Sequence, residues 1–162
     1  MAGPVTTAIA GNTSFSSLSV FRSIHANEFP RGTLVYSTKT TSTALATSPG
    51  TTEFTVTWTA ESSRVYLLTY FEPDVLHTTQ SGPVNTDQTI RVTNASGAQV
   101  ALTRHASIGT RSRMLCMAIL TGLTGSVTYA GCLLTASTTG APTANRDATT
   151  PAYMTVEDIG GF

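Results

Sequence analysis

Three histidines, two cysteines and nine carboxylates are the groups with which this chain would have to carry out catalysis or bind a metal. His25, His77 and His105 are far apart, and none has a second ligand at the short spacing a metal site uses. Asp74, His77 and Ser81 fall in one predicted loop and supply an acid, a base and a hydroxyl. Catalytic triads, however, are assembled from separate elements, and serine is abundant here, so coincidence accounts for that trio. Glu157 and Asp158 are neighbours on a predicted strand, point to opposite faces and cannot flank one glycosidic bond. Glu72 and Asp74 share a face, but at a strand-to-loop exit where solvated carboxylates are expected. No dinucleotide-binding glycine motif, phosphate-binding loop or nucleophile elbow occurs. The expectation is a protein that is not an enzyme and uses no cofactor and no metal.

Cys116 and Cys132 read as two buried, reduced thiols. If their strands form a hairpin closed at Leu120 and Gly125, Cys116 faces Tyr129 instead of Cys132, so no disulfide is expected. Asn12-Thr13-Ser14 and Asn94-Ala95-Ser96 match the glycosylation pattern, but the match is frequent by chance and no export signal accompanies it.

Formal net charge is zero, only 11% of residues are charged, and the single lysine is Lys39. A surface of Thr, Ser, Asn and Gly lacks the clustered cations that bind nucleic acid or an anionic membrane. Hydrophobic residues make up 40% of the chain, enough for a core. The longest apolar candidate, Met114 to Leu120, is far too short to span a bilayer.

The elements that must position these residues are strands. In TEFTVTWTA (52–60), Phe54, Val56 and Trp58 fall on one face and threonines on the other, as a half-buried strand requires. RVYLLTYF (64–71) is apolar on both faces, which predicts a central strand, and the two read together as a hairpin. TLVYS (33–37), TIRVTN (89–94), VALTRH (100–105), RSRMLCMAIL (111–120), SVTYAGCLLTA (126–136) and AYMTVEDI (152–159) complete the set, with Gly131 a predicted bulge. About eight strands with turns at short intervals predict an all-β, antiparallel, jelly-roll-like β-sandwich over residues 32–162.

Residues 1–31 differ. Asn12-Thr13-Ser14 can cap a short helix, with Phe15, Leu18, Phe21 and His25 at near-helical spacing; an extended arm is the alternative. In either form, scattered apolar residues too few for a core predict an attachment arm, with Phe15, Leu18, Phe21 and Ile24 as its partner-binding anchors.

The chain closes with Pro151-Ala152-Tyr153-Met154-Thr155-Val156-Glu157-Asp158-Ile159-Gly160-Gly161-Phe162. This ending resembles that of minor tail proteins of phages infecting actinobacteria, which often close with Pro-Ala, an apolar strand and Val-Glu-Asp-Ile/Val-Gly. Gly-Thr-Leu at residue 32, the TEFTVTWTA strand and Ser-Arg-Val-Tyr from Ser63 extend the likeness over residues 30–162. The departures are a short arm in place of longer N-terminal regions, and Gly160-Gly161-Phe162 where Gly-Pro is usual. The resemblance implies a virion structural protein on the particle exterior, a minor tail or capsid decoration component. It would be made in the host cytoplasm, bound to other virion proteins and assembled as a homo-oligomer, with a trimer the expected state. The alternative is a carbohydrate- or host-receptor-binding module, with Tyr36, Trp58, Tyr66, Tyr70 and Tyr129 as possible stacking faces.

Overall fold

The computed structural model describes residues 30–76, 84–107, 111–136 and 143–161. Eight long strands carry the fold: β1 (Gly32–Lys39), β3 (Thr51–Ala60), β4 (Arg64–Leu76), β5 (Val84–Val92), β6 (Gln99–Ser107), β7 (Arg111–Thr121), β8 (Gly125–Thr135) and β10 (Ala152–Gly161). The two-residue strands β2 (Thr43–Ala44) and β9 (Thr143–Ala144) pair with each other, and β9 joins the far end of β4. Sheet A runs β1-β10-β4-β7 and sheet B runs β3-β8-β5-β6, all antiparallel. Counting the long strands one to eight, the sheets read 1-8-3-6 and 2-7-4-5, the order of two wound Greek keys in a jelly roll. The predicted β-sandwich is the observed fold.

Two predicted hairpins are corrected. β3 lies in sheet B and β4 in sheet A, so the turn at 61–63, closed by Arg64 N–H donating to the Glu61 carbonyl, carries the chain between layers. β7 and β8 are likewise in different sheets, joined by an arch at 122–124. Alternation shows which side chains face the core, but not which strand supplies the hydrogen bonds, so an arch and a hairpin look alike in sequence. The thiols remain free, for a different reason from the one the hairpin supplied. Cys116 points between the sheets, whereas Cys132 points out of sheet B into a small cluster with Ala95 and Ala130.

β4 is central, between β10 and β7, as its two apolar faces require. Phe54, Val56 and Trp58 all point into the core, facing Tyr66, Leu68 and Tyr70 of the other sheet. Ring contacts cross the layers, with Phe54 on Tyr70 at 5.3 Å and Trp58 on Tyr66 at 5.6 Å. Gly131 is not itself the bulge: the extra residue is Glu53 on the opposing strand, between pairs Thr52–Cys132 and Phe54–Gly131. Gly131 is needed for clearance, because a Cβ there would sit 2.9 Å from the Tyr70 ring.

Candidate functional site

The β3 bulge has a chemical result. It turns two successive side chains, Glu53 and Phe54, inward, and so places a carboxylate at the loop end of the core. Glu72 of β4 arrives from sheet A, fully buried, which corrects the expectation that it is solvated. Arg146, from the segment after β9, lies between them. Its Nε donates to Glu72 Oε2 at 2.9 Å, and its Nη1 donates to Glu53 Oε2 at 2.8 Å, the Thr41 carbonyl at 3.2 Å and Thr43 Oγ1 at 3.1 Å. Lys39 closes the cluster on Glu53 at 2.6 Å, and the Tyr70 hydroxyl donates to Glu72. Burial pushes the Glu72 carboxyl above its ordinary value, against the opposing pull of Arg146. Two cations face two carboxylates, and the cluster fastens the 40–46 and 145–151 segments to both sheets.

A second lock holds the opposite end. Arg64 and Asp158 are buried and paired through two guanidinium nitrogens; one contact is Nε to Oδ2 at 2.7 Å. Burial works against the charged carboxylate, but Arg64 and the Gly160 N–H hold Asp158 below its ordinary value. Gly160 sits at φ 130° beside a register shift, a conformation that L side chains rarely adopt. Arg31 pairs with Glu61 on the adjoining turn and approaches Asp158 to 3.9 Å. The two motif pieces, Ser63-Arg64-Val65-Tyr66 and Val156-Glu157-Asp158-Ile159-Gly160, are therefore one ionic lock in space.

Between the locks, the outer face of sheet A is largely apolar and is most exposed along β7. The register aligns Tyr153, Phe71 and Leu115 in one row, Tyr36, Thr155, Thr69 and Met117 in the next, and Glu157, Leu67 and Ile119 in the third. On β7, Leu115, Met117 and Ile119 are 45, 56 and 68% exposed, while Met114, Cys116 and Ala118 are buried. Contiguous apolar patches of this kind are often sites where another surface packs. Toward the loop end the face deepens into an open groove of about 710 Å³, with Tyr36, Phe71 and Tyr153 on one side and Asp74, Arg111 and Arg113 on the other. Phe71 stacks on Tyr153 at 5.1 Å, and Asp74 binds Arg111 at 2.8 Å.

Of the aromatic side chains considered as stacking faces, Tyr36 is on the surface; Trp58, Tyr66, Tyr70 and Tyr129 are in the core. Phe71 and Tyr153 were missed, although the two-faced apolarity of 64–71 was the signal for the first. Phe15, Leu18, Phe21 and Ile24, with His25, His77 and Ser81, lie outside the described residues. His105 shares a 2.5 Å hydrogen bond with Ser112, and Thr103 Oγ1 donates to the Leu115 carbonyl at 2.8 Å; both contacts sew β6 to β7 across the sandwich seam. Among the described residues no carboxylate orients that histidine, and no three potential metal ligands are grouped.

No protein-family model and no curated protein sequence matches the chain. Solved structures that align with it include the infectious bursal disease virus VP2 subviral particle, at 11% identity and a TM-score of 0.37, covering 87% of this chain and 42% of that one. A structure of the infectious bursal disease virus Gt strain aligns at 14% identity and a TM-score of 0.27, covering 87% and 45%. This chain spans less than half the length of either, and similarity at that level carries over neither fold nor role.

Proposed function

We propose that this chain is a bacteriophage virion structural protein on the particle exterior, a minor tail or capsid decoration component without enzymatic activity. It would attach through residues 1–31, with neighbouring virion proteins as partners and a homotrimer as its working state. The observation that carries the reading is the apolar outer face of sheet A, most exposed along β7, a surface on which a neighbour can pack. The two ionic locks add support, since they stiffen both ends of a domain that must repeat the same contacts around a particle. The resemblance of residues 151–162 to phage tail protein endings points the same way. The test is quantitative mass spectrometry of purified particles, with and without residues 1–29. A fixed copy number that falls to zero on deletion, while the truncated domain stays folded, supports the reading. Absence from particles, or full incorporation of the truncated chain, defeats it.

The groove beside Tyr36, Phe71 and Tyr153 favours one second reading, saccharide binding. Aromatic faces would stack on a sugar ring, and Asp74 and Arg113 would meet its hydroxyls. A glycan array that shows no binding lost on Tyr36→Ala/Tyr153→Ala would dismiss it.

A further inference from the structure

We infer that the outer face of sheet A is the docking surface for residues 12–25 of a second copy of this chain, so that copies are linked arm to face. The inference rests on the assembly reading above and names the partner for the arm. The face is small. With strands about 4.8 Å apart and two residues rising about 6.8 Å, three rows on four strands cover roughly 400 Å². That is about half of what each partner in a standard interface buries, too little for two flat faces to hold each other but enough to seat one segment. The chain carries such a segment in Phe15, Leu18, Phe21 and Ile24.

The point of departure leaves a neighbour's face as accessible to the arm as its own. Arg31 is tied to Glu61 and lies near the buried Asp158, which fixes the start of β1 at the end of the sandwich that holds the Arg64–Asp158 pair. Gly32, at φ 77°, opens β1 there, opposite Asp158. Charge complements the apolar match. Glu157 stands in the third row of the face with no ion-pair partner among the described residues, and Arg22 follows Phe21 in the arm. An arm-to-face contact joins different surfaces on the two copies, so it is heterologous, the kind of contact that forms a ring such as a trimer when the rotation between copies closes.

The test uses two full-length single variants, Phe21→Cys and Met117→Cys, mixed under mild oxidation. Position 117 is exposed and the native thiols are buried, so new cross-links report the engineered sites. The expected product is a disulfide-linked dimer whose mapped peptide joins position 21 of one chain to 117 of the other. A mixture with no such product overturns the proposal. So does a Phe21→Cys/Met117→Cys double variant that links only within one chain, or dimers joined solely 117 to 117. Met117→Asp/Ile119→Asp provides a second readout: sedimentation should shift from oligomer to monomer with the circular dichroism spectrum unchanged. An oligomer that persists in this variant also refutes the assignment. These measurements are made on isolated protein, so their failure is separable from absence of the chain in particles.

Discussion

Replacing Arg146 by Met removes the one guanidinium that binds both Glu72 and Glu53. Glu53 keeps Lys39, but Glu72 is left with the Tyr70 hydroxyl alone in a site closed to water. Breaking a buried pair by deleting one partner costs about 3–5 kcal/mol, because an uncompensated charge remains. For a chain of this size that is a fall of roughly 6–20 °C in Tm. The loss has a pH signature. Burial already pushes the Glu72 carboxyl above 4.5, and without Arg146 it rises further. A carboxyl raised in the folded state favours the native form while protonated, and that stability drains away as pH climbs from the unfolded value through the folded one. The gap between wild type and Arg146→Met should therefore be narrow near pH 4 and widen toward pH 7. Arg146→Met/Glu72→Leu, which removes both charges and keeps the volume, should be more stable than Arg146→Met alone. Urea denaturation at a series of pH values reads all three expectations. A single variant within about 0.5 kcal/mol of wild type at pH 7, the range of an ordinary surface substitution, would refute the reasoning.

Other substitutions probe the core. Trp58→Ala should cost about 3–5 kcal/mol in thermal or urea unfolding, and an unchanged melting temperature would contradict the β3 register. Gly131→Ala should cost about 1–3 kcal/mol, since the new methyl meets the fully buried Tyr70 ring and Met154 sulfur; equal stability would mean that Tyr70 can yield. Burial pushes both cysteine thiols up, so thiol reagents should label them slowly in the native protein and twice per chain once it is unfolded. Rapid native labelling would place one of them at the surface.

Much of the fold could be read directly from residues. The alternation of Phe54, Val56 and Trp58 set the buried face of β3, and the two apolar faces of 64–71 placed β4 centrally. What could not be read was the layer to which each strand belongs, because the 61–63 and 122–124 connections have the composition of hairpin turns and act as arches. The ionic locks were hidden for a related reason. Glu72 looks like a strand-exit charge, and Arg146 sits in a loop 74 residues away, so nothing local marks them as partners. The useful signal was scarcity: a chain with 11% charged residues has few to leave in solvent. The apolar outer face of β7 was visible as Leu115, Met117 and Ile119, but a run that is apolar throughout does not show which of its faces meets solvent.

The strand order also sets a timetable for synthesis. β10 fills the slot between β1 and β4, so Gly32 finds its partner Asp158 only when residues 152–161 have been made. Until then the first and third long strands stand apart with unpaired edges, and the buried Arg64–Asp158 pair cannot form. The domain cannot be completed piecemeal as it emerges from the ribosome, since its closing element is translated last and sits in the middle of the sheet. A nascent chain of this design exposes β-edges for most of its synthesis, which makes slow translation or early termination a route to aggregation and not to a smaller working domain.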